Sequence, residues 1–142
     1  MDTIKVNFEN GIDQVEILKA AQILKDGGVV AFPTETVYGL GADDLNEEAV
    51  QKIFRAKGRP QDNPLIIHVV EEDLSAYVQE VPPKAQMLMD TFWPGPLTII
   101  LKKTDLVPLK TSAGLDTVGV RMPENDTAKA LIKAFGGPIA AP

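Results

Sequence analysis

The chain has 142 residues, 20 acidic against 14 basic for a net charge of -6, with 44% hydrophobic and 24% charged residues, no cysteine and one histidine. Such a composition describes a soluble globular chain of single-domain length, able to bury roughly two-thirds of the surface its unfolded form exposes. It excludes disulfide frameworks, thiol nucleophiles, cysteine zinc sites and multi-histidine metal centres, so no structural metal is expected, and its acidity argues against tight non-specific binding to a phosphate backbone.

No apolar run approaches bilayer length, and Met1 to Lys5 lacks the basic-then-apolar order of a signal peptide. The expected compartment is the cytoplasm, with no membrane association. In chain order, residues 3–8 alternate polar and apolar, which predicts a half-buried edge strand. Asp13 with Glu16 resembles a capping box; Val15, Leu18, Ala21 and Leu24 or Ala20 recur at helical spacing until Gly27-Gly28 closes a first helix. Val29 to Phe32 suits a strand covered on both faces, stopped by Pro33. A polar, glycine-bounded turn follows, carrying Thr34, Glu35, Thr36, Tyr38, Gly39 and Gly41. Strand-end loops of this kind are where open α/β sheets place ligands, although a simple capped loop has the same local pattern.

Asn46 with Glu47 and Glu48 starts a second helix, with Ala49, Val50, Ile53 and Phe54 inward and an end near Gly58. A loop with Pro60 and Pro64 leads into the β-branched strand Leu65 to Val70. Glu71 to Gln79 is read as a short helix with Leu74 and Val78 inward, and Pro83 opens another through Phe92 that carries Met87, Leu88 and Phe92. Trp93-Pro94-Gly95-Pro96 breaks the chain, Leu97 to Leu101 and Val118 to Met122 are strands, and Asn125 or Asp126 caps a last helix closed by Gly136-Gly137. Ile139 to Ala141 begins one more apolar segment. Interleaved helices and strands, with some connections too short for crossover helices, predict an α/β single domain over 1–142: a twisted mixed parallel/antiparallel sheet with flanking helices.

The chemistry-bearing residues are few. Lys52, Arg55, Lys57 and Arg59 crowd one short stretch. Lys57 and Arg59 flank the glycine ending the second helix and together suit a polyphosphate; equally, Lys57 compensates the helix C-terminus while Arg59 pairs with Asp62. His68 sits in a strand, on the face of Ile66 and Val70, as a core histidine or as a partner for a carboxylate. Thr117 and Arg121, four apart, share one strand face, and a half-buried arginine calls for a protein or ligand carboxylate. Trp93 is read as a core tryptophan beside a rigid turn. The chain has no metal-spaced acid pair, Walker loop, GxSxG elbow or dinucleotide fingerprint, so proton transfer falls to His68, Glu35 or the ligand.

Five segments occur in a specific order: Pro33-Thr34-Glu35-Thr36-Val37-Tyr38-Gly39-Leu40-Gly41, Lys57-Gly58-Arg59-Pro60, Asn63-Pro64-Leu65 with His68, Trp93-Pro94-Gly95-Pro96-Leu97-Thr98, and Val120-Arg121-Met122-Pro123. From about Val15 to the last residue the chain resembles the YrdC-like family of L-threonylcarbamoyladenylate synthases. The resemblance implies a concave basic surface on a twisted mixed sheet. It also implies a nucleotidyltransferase that turns L-threonine, bicarbonate and ATP into threonylcarbamoyl-AMP and pyrophosphate for N6-threonylcarbamoyl modification of tRNA adenosine, with magnesium arriving on ATP. By motif position Lys57, Arg59 and Asn63 would meet the phosphates, Lys57 and Arg59 as the catalytic cations, and Thr117 the nucleotide. Thr34 or Thr36 would hold threonine, with His68 and Arg121 on its carboxylate; the sequence does not choose between the threonines. Implied partners are tRNA-modification proteins, with weak or local RNA binding.

The family continues into a Ser-x-Asn motif that this chain lacks, so the expectation is a C-terminally incomplete domain with uncertain activity of its own. The rival readings are a non-catalytic nucleotide- or RNA-binding module, and a domain of a hydrogenase-maturation carbamoyltransferase using carbamoyl phosphate.

Overall fold

Asp13 caps α1 (Gln14–Lys25) by accepting from the Val15 amide, and Asn46 caps α2 (Glu47–Lys57) by accepting from Glu48 and Ala49. Gly58 ends α2 in the left-handed region at φ 60, where a side chain would be strained. Between these helices run β1 (Val30–Phe32) and β2 (Gly39–Asp43). After them come β3 (Ile66–His68), α3 (Pro83–Phe92), β4 (Thr98–Lys102), β5 (Thr117–Arg121), α4 (Asp126–Phe135) and β6 (Ile139–Ala141). The computed structural model describes residues 3–58 and 60–142, so the expectations for Arg59 lie outside the described residues.

Among the described residues the strands form one six-stranded sheet in the order β1-β2-β6-β3-β5-β4. β3 and β5 are parallel and every other neighbouring pair is antiparallel, so the sheet is mixed, as the short connections required. β6 is its sealed centre, with Ile139, Ala140 and Ala141 all fully buried.

Five local expectations are corrected. Residues 3–8 form no strand; Ile4 and Val6 are exposed, because alternation stabilises a strand only with a ladder partner and a covered face. Val30–Phe32 is not covered on both faces but is the sheet edge, with Ala31 exposed and Phe32 alone buried. In α1 the inward row is Ile17, Ala21 and Leu24; Val15 and Leu18 face outward, since the helix packs on α4 and β2 through the row containing Ile17. Residues 71–79 form a single turn, closed by Tyr77 and Val78 amides on the Leu74 carbonyl, after which Val78 bridges to Lys103. Leu74 and Val78 do point inward. In α3 it is Ala85 and Met89 that are buried, while Met87, Leu88 and Phe92 are exposed.

β2 is a strand where the glycines suggested only a turn. A Cβ on Gly41 would stand 2.6 Å from Ile139 Cγ2 and 2.7 Å from Phe32 Cε1, so this glycine serves close packing and not a turn. The two sheet faces differ. On one, Ile67, Ile99, Leu101, Val118 and Val120 are buried with Leu74, Val78, Ala85, Met89 and Val107, while Ala42 and Ala140 pack under α2. On the other, α1 and α4 cover Phe32, Ile139 and Ala141. The rest of that second face, over β3, β5 and β4, carries Ile66, Thr98, Ile100, Thr117 and Gly119, which belong to no apolar cluster, and Ile100 is 71% exposed. No helix among the described residues is long and apolar enough to cross a membrane.

Candidate functional site

Arg121 closes β5 on this open half-face, in register with His68 of β3 and Thr98 of β4. Its side chain is largely buried, and its Nε donates to the Gly95 carbonyl at 3.2 Å. Gly95 in turn donates its amide to Met122, fastening the Trp93–Pro96 turn to the strand end. A Cβ at Gly95 would stand 2.6 Å from the Phe92 carbonyl oxygen, so the close approach requires glycine. Trp93 packs against the core and donates Nε1 to Leu97 at 2.8 Å, as its reading as a core residue required.

Burial presses the Arg121 guanidinium below its ordinary pKa, and a protein carboxylate compensates the charge. Glu35 forms an ion pair with Arg121 Nη2, and its other oxygen accepts the Glu124 amide at 2.5 Å. Among the described residues Nη2 has no hydrogen-bond partner beyond that ion pair. An anion facing Arg121 was legible in the sequence; that Glu35 supplies it was not, because the partner is remote along the chain.

The loop that carries Glu35 is ordered by its own threonines. Thr34 Oγ1 donates to the Val37 carbonyl at 2.6 Å, accepts the Thr36 amide at 3.2 Å and lies 3.1 Å from Thr36 Oγ1. The two hydroxyls therefore form one unit. Val37 and Tyr38 at its tip are exposed.

His68 lies beside Arg121 in the sheet but is buried. Its ring meets Phe32 edge-on at 5.8 Å and its Nδ1 is 3.2 Å from the Ile66 carbonyl. Burial lowers its pKa more than the Ile66 and Ile139 carbonyls raise it, so the imidazole is neutral near pH 7. It can offer a hydrogen bond there, not a charge.

Thr117 and the approach to β3 lie at the other end of the same strands. β3 and β5 are parallel and start together: Thr117 begins β5, and the loop containing Asn63 delivers the chain into β3 after Lys57 ends α2. That loop is folded by the Asn63 amide on Pro60 and anchored by the Leu65 amide on Thr111. Thr117 and Arg121 share a strand face about 13 Å apart. Between them Gly119 leaves the floor bare; a Cβ there would stand 3.0 Å from Thr98 Cγ2. Gly119 and Thr98 were not singled out in the sequence, although strand alternation from Arg121 reaches Gly119.

Asp44 also escaped notice. It is fully buried beyond β2, and burial pushes its carboxyl up to about 7, with Asp43 adding to the rise and Thr111 and Lys103 opposing it. Lys103 is occupied by carbonyls, donating to Val107 at 3.0 Å. Among the described residues no group of three or more His, Asp or Glu is placed to hold a metal ion. A surface hollow of about 350 Å³ between Val70, Tyr77, Ile132 and Lys133 contains none of the residues singled out above as candidate ligands.

The chain has close relatives. A family model described as Telomere recombination (Sua5, YciO, YrdC) matches residues 22–142. The threonylcarbamoyl-AMP synthase of Pyrococcus abyssi is 52% identical over 141 residues, covering 99% of this chain and 42% of the relative. The protein of the same name from Halorhodospira halophila is 38% identical, covering 92% of this chain and 69% of its own length. The solved structure of P. abyssi Sua5 complexed with L-threonine superposes with a TM-score of 0.90 at 54% identity, over 92% of this chain and 39% of that one. This chain thus spans less than half the length of the P. abyssi protein. With the family model matched over residues 22–142, 52% identity to a relative over nearly the whole of this chain and a shared fold, the chain belongs to the Sua5/YciO/YrdC family.

Proposed function

We propose that this chain carries the amino-acid and nucleotide surface of an L-threonylcarbamoyladenylate synthase. The observation that carries the reading is Arg121: a buried guanidinium at the rim of an open sheet face, in a chain 54% identical to a protein solved with L-threonine bound. L-Threonine would set its carboxylate on Arg121, with His68 as a neutral wall behind and the Thr34–Thr36 pair beside it. The threonines act as a unit, since their hydroxyls are already joined.

ATP would lie toward the opposite strand end, its phosphates near Lys57, Asn63 and Arg59 and its nucleoside near Thr117; Arg59 is assigned by motif position alone. Magnesium enters with the nucleotide. The roughly 13 Å between Thr117 and Arg121 leaves room for a carbamoylated amino acid to meet the α-phosphorus. The threonine amine attacks the bicarbonate carbon and water is lost to give the carbamate, whose oxygen then attacks the α-phosphorus as pyrophosphate leaves. Fixed cations favour this by positioning and by stabilising developing charge, with no covalent enzyme intermediate. The product would pass to tRNA-modifying proteins, in the cytoplasm.

Pyrophosphate release tests the reading. It should require L-threonine, bicarbonate and ATP together; release without threonine, or nucleotide and RNA binding without any release, would contradict it. The net charge of -6 weighs against the RNA-binding alternative.

A further inference from the structure

The most exposed consequence of the Arg121 geometry concerns Glu35. The carboxylate that now holds Arg121 is chemically the group that the proposed substrate would bring, and Arg121 has little room for both. Its Nε is committed to Gly95, its Nη2 faces Glu35 alone among the described residues, and the residue is 8% exposed. The second Glu35 oxygen is held by the Glu124 amide, one residue before the cap of α4. Through these two contacts the exposed loop with Val37 and Tyr38 is pinned across to the end of β5.

We propose that Glu35 is a carboxylate latch: it neutralises Arg121 while the amino-acid site is empty, and the α-carboxylate of the incoming amino acid displaces it, releasing the 33–38 loop. This inference rests on the assignment of Arg121 to the threonine carboxylate. It explains how a guanidinium can remain buried and charged in the absence of ligand, which otherwise costs several kcal/mol. Because the latched state blocks only the carboxylate position on Arg121, a ligand that uses that position has its affinity reduced by the unlatched fraction, while a ligand without a carboxylate does not. The latch also sets a requirement on the ligand, since a molecule lacking the carboxylate has nothing to exchange for Glu35.

Calorimetric titration of the protein with L-threonine and with L-threoninol, which lacks the carboxylate, tests the latch. Glu35→Gln keeps the shape and an oxygen for the Glu124 amide but removes the competing charge. It should bind L-threonine about tenfold more tightly than the wild type while leaving L-threoninol unchanged. Glu35→Asp, with a carboxylate drawn back by one methylene, should fall between the two. Arg121→Gln should weaken L-threonine binding by about 10- to 100-fold, and binding equal to the wild type's would overturn both the site assignment and the latch. If Arg121→Gln weakens binding but Glu35→Gln binds L-threonine no better than the wild type, the latch alone is overturned. The same holds if Glu35→Gln shifts L-threonine and L-threoninol alike, which would make Glu35 a structural support of the loop.

Discussion

Asp44 and Arg121 are both buried charged residues on one sheet, and their surroundings treat them in opposite ways. Asp44 is fully buried just past β2, and among the described residues neither of its carboxylate oxygens has a hydrogen bond of normal geometry. Its carboxyl is pushed up to about 7, so it meets burial largely by keeping its proton. Arg121 stands at the rim of the open half-face, keeps its charge and meets burial with the Glu35 carboxylate. Full burial discharges an ionisable group, whereas a rim preserves the charge and leaves it exchangeable for a ligand.

The largest effect should come from breaking the sealed face itself. Ile67→Ala empties a fully buried position and should cost about 2–5 kcal/mol in denaturant unfolding. Asp44→Asn sharpens the comparison through pH. The unfolded carboxyl ionises near 3.8 and the folded one near 7, so the folded state holds the extra proton between them. The wild type should therefore be most favoured by this group below pH 3.8 and lose stability as pH rises through about 7. The loss is on the order of 4 kcal/mol, and Asp44→Asn should remove it from the difference between unfolding curves across pH 4–9.

At the rim the expected changes fall on ligands. Arg121→Gln should weaken L-threonine by about 10- to 100-fold, the worth of one charge-assisted contact. Lys57→Ala should weaken ATP by a similar or smaller factor while leaving L-threonine unaffected, which paired titrations would separate. The smallest effect on stability belongs to Ile100→Ala, within about 0.5 kcal/mol, because that side chain points to the open half-face.

The sequence made the scaffold readable where the signals are local. Asp13, Asn46 and Asn125 cap their helices, Gly58 and Gly136 end theirs in the left-handed region, and the β-branched run at 65–70 contains β3. It concealed what depends on distant partners. Gly41 reads as a turn until Phe32 and Ile139 are seen against it, and the inward row of α1 is set by α4. Residues 3–8 alternate convincingly but have no strand to join.

The site divides the same way. Thr117 and Arg121 share a face by two-residue alternation, and an anion opposite Arg121 follows from the cost of burying its charge. The identity of that anion and the neutral state of His68 depend on the tertiary fold, and the bare floor at Gly119 on the strand register.

The central claim, that the open half-face over β3, β5 and β4 is the ligand surface, is tested most directly by mapping amide NMR shifts during titration with L-threonine and then ATP. L-Threonine should move Glu35, Thr36, Thr98, Gly119 and Arg121, and ATP should move Lys57, Asn63 and Thr117, with Val118 and Val120 of the sealed face changing less. Shifts concentrated instead at Val70, Tyr77 and Lys133, around the hollow that they line, would contradict the claim.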